Sequence, residues 1–120
     1  RGLRVALATS ADEDDLDLLF GAAGTDLRPL VDAVTTASDV DASKPEPDIV
    51  QAAARALGVA PDACALVGDT VYDGDAAWRA GAAFVGVATW VWGEALLVGA
   101  GAAFVAPTTA DLAQHLDDAL

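Results

Sequence analysis

Three aspartates lie close together after one short apolar run. Asp69, Asp73 and Asp75 fall in the stretch LVGDTVYDGDA, residues 66–76. Because like charges repel, such a cluster calls for a cation or hydrogen-bond donors that compensate it. Asp69 follows the run directly, at a turn that Gly68 allows, and Asp73 comes four positions later. Carboxylate oxygens at a strand end suit a hard cation, so the stretch predicts a Mg2+ site.

The same aspartates also have a purely structural interpretation. Asp73 and Asp75 stand where the next helix is expected to begin. Carboxylates there accept hydrogen bonds from free backbone N–H groups and face the positive end of the helix dipole. One of the two would cap the helix and the other would lie in its first turn. This interpretation fits Asp69 less well, because Asp69 belongs to the strand end.

Thr9 and Ser10 follow the first apolar run, in VALATSADE. Ser10 and Glu13 match a capping box, which would explain Ser10 by helix capping alone. The Thr9 hydroxyl and the free N–H groups of the helix start would instead bind an anion such as phosphate. The acidic residues 12–15 count against an anion unless they point away from it.

Lys44, in ASKPEPD, is the only lysine of the chain. Pro45 disfavours a helical conformation at Lys44, so the lysine is expected on an extended loop, and Pro47 suits the first turn of the next helix. A compact ammonium group there would stabilise a phosphate or a carboxylate nucleophile. A solvated surface lysine is the alternative.

An alternating pattern of elements must position these residues. Apolar runs of strand length alternate with segments of helical period, and several runs are apolar on both faces, as in a parallel sheet covered on both sides. The predicted strands are residues 3–8, 33–37, 63–67, 83–87 and 103–105, and the predicted helices are residues 12–21, 46–57, 74–81, 94–99 and 109–119. The pattern predicts an α/β, Rossmann-like three-layer sandwich with a mostly parallel sheet. Ligands of such sheets bind beyond the carboxyl ends of the strands, where Thr9, Ser10 and Asp69 are placed.

Composition limits the number of domains and the partners. The 120 residues are 54% hydrophobic, which supports one domain over residues 1–120. A formal charge of −13 argues against nucleic acid and anionic membranes as partners and favours small cations. The longest uncharged runs, 80–93 and 95–110, are shorter than the roughly 20 residues of a membrane helix. The single cysteine, Cys64, is predicted to be a buried thiol in a reducing compartment, and the chain is expected in the cytoplasm.

The motifs taken in order resemble the haloacid dehalogenase-like (HAD) hydrolase superfamily, especially its phosphoglycolate-phosphatase-like members. They are a strand that ends in Thr9 and Ser10, a Ser-Lys-Pro-Glu-Pro loop at residues 43–47, and a strand that ends in Gly-Asp-Thr-Val-Tyr-Asp at residues 68–73. Their order and spacing cover nearly the whole chain, from residue 4 to residue 118.

The resemblance implies a Mg2+-dependent phosphatase that acts on a small phosphorylated metabolite through an aspartyl-phosphate. The Thr9 hydroxyl and the Ser10 N–H would bind the transferring phosphoryl group, and Lys44 would steady the phosphate and the nucleophile. Asp69 would ligate Mg2+, and Asp73 would hold the ion through a water or set the charge of the site. Thr9, Lys44 and Asp69 are thus the expected catalytic residues, while Asp75 belongs to the helix start.

One part of the family's pattern has no match in this chain. The family's nucleophile is the first aspartate of an N-terminal Asp-x-Asp-Gly-Thr motif, and residues 39–43, DVDAS, lead directly into the lysine loop instead. The resemblance therefore implies a carboxyl-terminal portion of such an enzyme, inactive alone, without the nucleophile strand and the cap domain. The family places that strand between the strands of residues 3–8 and 63–67. Its absence predicts marginal stability, direct pairing of those two strands, or self-association.

Two other functions compete with a Mg2+-dependent phosphatase. The alternative that stays open is a non-catalytic cation-binding or interaction domain derived from a HAD hydrolase. A response-regulator receiver domain is excluded, because its acidic pair precedes its hydroxyl and lysine, whereas here the acids come last.

Trp90, Trp92 and His115 lie outside these motifs. Trp90 and Trp92 follow the fourth strand and are expected in core or lid packing, or else as walls of the phosphate site. His115 is expected to be a solvated surface residue.

Overall fold

A computed structural model describes residues 2–40 and 46–120. In chain order its strands and helices are β1 (Ala6–Ala8), α1 (Glu13–Ala23), β2 (Ala33–Thr35), α2 (Asp48–Leu57), β3 (Ala65–Gly68), α3 (Val71–Ala80), β4 (Ala83–Val87), α4 (Glu94–Gly99), β5 (Ala102–Ala106), α5 (Thr109–Gln114) and α6 (Leu116–Ala119). Short 3-10 turns occupy Arg28–Leu30, Ala37–Asp39 and Pro61–Ala63. Strands and helices alternate along the chain, as the sequence pattern predicts.

The described strands form two parallel sheets. β1 pairs with β2, and β3, β4 and β5 pair in that order, with Gly68 opposite Gly86. The prediction of parallel strands is confirmed. Direct pairing of the strands of residues 3–8 and 63–67, one of three outcomes expected without a central strand, is wrong: β1 and β3 belong to separate sheets.

Side chains of β4 point alternately to the two faces of the larger sheet. Phe84 packs with Ala77 of α3 and Leu97 of α4 on one face. Val85 packs with Leu112 of α5 on the other face. Helices thus cover both faces, and the predicted three-layer α/β arrangement is confirmed.

Helices α2 and α3 link the two sheets. Ile49 and Val50 of α2 form one buried apolar cluster with Ala76 of α3, and Ala8 of β1 and Leu66 of β3 pack against this cluster. No hydrogen-bonded pairing links β1 to β3 among the described residues. The position of one sheet relative to the other therefore depends on apolar contacts made by α2 and α3.

The observed elements depart from the predicted ones mainly at their ends. β4 spans the predicted residues 83–87, whereas β1 is reduced to Ala6–Ala8. α3 begins at Val71, three residues before its predicted start, because Thr70 caps it. The last predicted helix, 109–119, is divided at His115, whose backbone leaves the helical region.

Two remaining predictions concern burial and membranes. Cys64 is only partly buried, and its thiol donates to the Ala60 carbonyl at 3.4 Å, so the prediction of a buried thiol is wrong. The described helices are all too short or too polar to cross a membrane.

Candidate active site

Asp73 is the most constrained of the three clustered aspartates. It is buried, with 4% of its surface exposed. Its Oδ2 accepts hydrogen bonds from the N–H of Asp69 at 3.2 Å, the N–H of Thr70 at 3.1 Å and the hydroxyl of Thr70 at 2.9 Å. The Thr70 oxygen in turn accepts from the Asp73 N–H at 3.2 Å. The two residues form a capping box at the start of α3, with Thr70 as the N-cap and Asp73 in the first turn. Asp73 therefore belongs to the helix start, as the structural interpretation expects, but the cap residue is Thr70.

Gly68 makes room for this arrangement. A Cβ atom at Gly68 would lie 2.6 Å from the Cβ, Cγ and Oδ2 atoms of Asp73, closer than real side chains approach. The φ angle of Gly68 is not positive, so the glycine is not needed for a left-handed turn here. Its missing side chain instead lets the Asp73 carboxylate lie against the end of β3.

Asp69 and Asp75 are more accessible. Asp69 comes directly after β3 and is exposed, and only its N–H, not its carboxylate, takes part in a hydrogen bond with another described residue. Asp75 is exposed on α3 but lies beyond its first turn, because the helix begins at Val71, so the expectation that Asp75 belongs to the helix start is wrong. Of the two, Asp69 is at the carboxyl edge of the sheet and beside Asp73.

Thr9 is anchored at the end of β1. Its N–H donates to the Thr35 carbonyl of β2 at 3.1 Å, and its Oγ1 accepts from the Ala11 N–H at 3.1 Å. The hydroxyl is partly buried. The backbone bond fixes the place of Thr9 next to β2, and the hydroxyl hydrogen can still be donated to a ligand.

Ser10 does not cap helix α1. The cap is Asp12, whose Oδ1 accepts from the Asp15 N–H at 2.8 Å, and the helix begins at Glu13. The capping box of Ser10 with Glu13 is therefore wrong, because the helix starts two residues later than that box requires. Ser10 is exposed, and no described residue accepts a hydrogen bond from its N–H, which fits the predicted contact with an anion.

Arg28 compensates part of the acidic charge that follows Thr9. Its guanidinium lies 2.8 Å from an Asp17 oxygen and 3.6 Å from a Glu13 oxygen, and it lies over the Phe20 ring at 5.3 Å from the ring centre. Side-chain hydrogen bonds from Arg28 lower the pKa of Asp26, and the same bonds raise the pKa of Arg28. Two acids of α1 are thus directed to Arg28.

The predicted Mg2+ site has two candidate ligands among the described residues. Asp69 and Asp73 provide hard oxygen donors at one strand end, and the space at Gly68 accommodates the second carboxylate. Within residues 2–40 and 46–120, no three His, Cys, Asp or Glu side chains are grouped closely enough to hold a metal ion. The remaining ligands would be waters, a substrate phosphate or groups from outside the described residues.

The other predicted site residues divide into three cases. Lys44 lies outside the described residues. Trp92 packs beside Leu97, as the packing interpretation expects, whereas Trp90 is 98% exposed. His115 is on the surface, with Nδ1 3.5 Å from an oxygen of Asp118.

Two capping boxes were not anticipated from the sequence. One joins Thr70 to Asp73, and the other joins Thr36 to Asp39, whose Oδ2 accepts from the Thr36 N–H at 2.7 Å. The signal for both is a threonine followed three positions later by an aspartate. Asp39, the first residue of DVDAS, is thus a capping residue.

The family model for haloacid dehalogenase-like hydrolases matches residues 1–81, about two thirds of the chain. The chain belongs to this family. The match confirms the resemblance indicated by the motifs, in which Thr9 and Asp69 follow strands and Asp73 lies in the first turn of α3.

Two curated relatives are much longer than the chain. Protein SUPPRESSOR OF QUENCHING 1, chloroplastic, of Arabidopsis thaliana is 37% identical over 105 residues, which are 88% of this chain and 10% of that protein. Pyrophosphatase PpaX of Bacillus pumilus (strain SAFR-032) is 34% identical over 97 residues, which are 81% of this chain and 44% of that enzyme. The chain therefore spans less than half of either relative.

A solved structure shows the same fold. A HAD family hydrolase from Deinococcus radiodurans R1, with bound phosphate and sodium, matches 97% of this chain and 52% of its own, at 30% identity and a TM-score of 0.79. The likeness supports the HAD-type, Rossmann-like core predicted from the sequence.

Proposed function

We propose that this chain carries the phosphate-binding and cation-binding part of a Mg2+-dependent phosphatase for small phosphate esters. The observation that carries the proposal is one apolar cluster, formed by Ile49 and Val50 of α2 with Ala76 of α3, against which Ala8 of the strand that leads to Thr9 and Leu66 of the strand that leads to Asp69 both pack. Residues of the two kinds that phosphoryl transfer needs, a hydroxyl for phosphate and a carboxylate for a cation, thus follow two strands that meet at this cluster.

The proposed chemistry is displacement at phosphorus. The Thr9 hydroxyl and the Ser10 N–H donate to phosphoryl oxygens, and Lys44 offsets their negative charge. Asp69 and Asp73 hold Mg2+, which when bound neutralises charge on the phosphate. A carboxylate nucleophile forms a bond to phosphorus as the ester oxygen leaves, and water then hydrolyses the acyl phosphate.

The nucleophile is proposed to come from a segment outside these 120 residues, on a strand between β1 and β3. Each of these strands pairs on one side only, and the nearby side chains of Val5 and Val67 are 49% and 46% exposed. An inserted strand would pair the open backbone groups and cover this apolar surface. Without it, we propose that the open edges promote self-association of the chain.

A reducing compartment such as the cytoplasm is part of the proposal. Cys64 is the single cysteine, so the chain has no second cysteine for an internal disulfide.

The non-catalytic alternative is favoured by one observation. The three hydrogen bonds to Asp73 Oδ2 show that this carboxylate already caps α3, so a structural or purely cation-binding function would also account for it. The test must therefore separate cation binding from hydrolysis.

Mg2+ titration of the labelled chain, followed by amide NMR, tests the cation site. We expect the largest shifts at residues 69 and 70, and we expect Asp69→Asn to abolish them. Asp75→Asn is the matched control, because it removes the same charge from an exposed position of the same segment. Equal shifts in both variants would contradict the assignment of Asp69.

Hydrolysis of p-nitrophenyl phosphate tests the catalytic part. The chain alone should be inactive, and activity should appear when a family segment with Asp-x-Asp-Gly-Thr is added in the presence of Mg2+. Asp69→Asn should remove that activity. Turnover by the chain alone would mean that it contains its own nucleophile, whereas Mg2+ binding without turnover in the mixture would favour the non-catalytic alternative.

A further inference from the structure

A closed turn follows β4 and presents a tryptophan to solvent. The Thr89 N–H donates to the Trp92 carbonyl at 3.0 Å, and the Trp92 N–H donates to the Thr89 hydroxyl oxygen at 3.0 Å. Trp90 and Val91 form the tip between them and are 98% and 60% exposed. Two hydrogen bonds across four residues therefore fix the backbone of the turn that carries Trp90.

The base of this turn is packed firmly. Trp92 contacts the cluster that contains Phe84 and Leu97. Its ring also meets the Tyr72 ring edge-on, with centroids 5.9 Å apart and planes at 80°. Such edge-to-face contacts are favourable, and Tyr72 directly precedes Asp73 on α3. The turn is thus attached to the helix that begins at the candidate cation site.

Strand register places the tip at the same edge as Asp69. Gly68 of β3 lies opposite Gly86 of β4, so Asp69 is level with Val87, and the turn begins only two residues further, at Thr89. Neighbouring strands are about 4.8 Å apart. An organic group attached to a phosphate at this edge would therefore extend into the region of the turn.

We propose that Trp90 is a specificity-determining residue, which stacks on a flat aromatic leaving group of the phosphate ester. The proposal rests on the proposed phosphatase function and specifies its substrate class. Trp90 suits this use because its large flat ring is almost wholly exposed, while the other tryptophan of the turn is already packed. The turn also fixes the backbone position from which the Trp90 ring projects, so the backbone need not be ordered when a ligand binds.

Binding affinities of the full chain for three probes test the proposal. The probes are inorganic phosphate, methyl phosphate and phenyl phosphate, each titrated calorimetrically in the presence of Mg2+. We expect phenyl phosphate to bind about five-fold more tightly than methyl phosphate, as stacking on one aromatic ring provides. Trp90→Ala should remove this preference without changing the affinity for inorganic phosphate.

Trp78→Ala is the matched control. Trp78 is also strongly exposed, at 78%, but it lies on α3 rather than on the turn. It should leave the phenyl preference intact. If inorganic phosphate does not bind, the proposed function and this inference both fail. If phosphate binds but the phenyl preference is missing, or is equally lost in both variants, only the inference about Trp90 is overturned.

Discussion

The part of the molecule built on β3, β4 and β5 is buried far more completely than the part built on β1 and β2. Residues 84–87 of β4 are all buried, with Val85 only 1% exposed, and helices cover both faces of the sheet. None of the three residues of β1 is fully buried, and α1 buries only Leu16 while Leu18 stays 73% exposed. The better-packed part carries the two carboxylates, and the less packed part carries Thr9.

This difference bears on how the candidate site is organised. Both parts have a threonine-aspartate capping box, so backbone capping does not distinguish them. The two parts differ instead in apolar burial, and regions with few buried apolar contacts unfold locally at a low cost in free energy. Asp73, one of the two proposed cation ligands, is therefore fixed within the better-packed part, whereas Thr9 follows the strand with less apolar burial.

Removing a central side chain from the better-packed part should have the largest effect. Leu97 is fully buried between α3 and the sheet, so Leu97→Ala should lower the free energy of unfolding by about 2–5 kcal/mol through lost burial and a cavity. Leu96→Ala, at a 52% exposed position of the same helix, is the control and should cost much less. Urea unfolding followed by circular dichroism measures both. Equal losses of unfolding free energy in the two variants would contradict the burial of Leu97 in the core.

Two glycine substitutions should act in opposite directions. Gly68→Ala would place a methyl group against the Asp73 side chain and should lower the free energy of unfolding by about 1–3 kcal/mol. Gly21→Ala lies on α1 with no atom within 4 Å of the added group, so it should raise the free energy by about 0.5–1 kcal/mol through helix propensity. The same urea experiment compares them. A stabilised Gly68→Ala would contradict the close contact with Asp73.

The smallest expected effect concerns Asp26 and Arg28. Hydrogen bonds from Arg28 lower the pKa of Asp26 below its usual value of 3.8. A lowered folded-state pKa stabilises the fold above the unfolded-state value, and this contribution is lost as the pH falls through the folded-state value. NMR titration of the Asp26 carboxyl should show its pKa rising in Arg28→Gln. The shift should also weaken at high salt because both groups are exposed; an unchanged pKa would contradict the pairing.

Local sequence pattern predicts the buried strands better than their less protected counterparts. β4 has neighbours on both sides and helices on both faces, so its apolar run and its observed bounds coincide. β1 has one partner strand, and residues 3–5 of its predicted run are exposed. The pattern reports which residues are apolar, but the length of a strand also depends on what pairs with it.

Local sequence pattern also predicts the starts of helices and the exposure of aromatic side chains at the site poorly. The sequence predicted Ser10 as the cap of α1, whereas the structure has Asp12, whose backbone is extended and whose side chain accepts from the Asp15 N–H. The aspartates at 69 and 73 could be singled out because their spacing is local. The exposure of Trp90 could not be predicted, because it depends on a turn whose base is packed against α3 and α4.

Helix α2 contributes to the packing between the part of the molecule built on β1 and β2 and the part built on β3, β4 and β5. It belongs to neither sheet, yet Ile49 and Val50 form one apolar cluster with Ala76 of α3, and Ala8 of β1 and Leu66 of β3 pack against this cluster. Arg4 also donates a 2.6 Å hydrogen bond to the Leu57 carbonyl at the end of α2. The strands that lead to Thr9 and to Asp69 are thus positioned by side chains that belong to neither residue. Substitutions that change the volume of the side chains in this apolar cluster would therefore change the distance between Thr9 and Asp69, without altering any group proposed to bind phosphate.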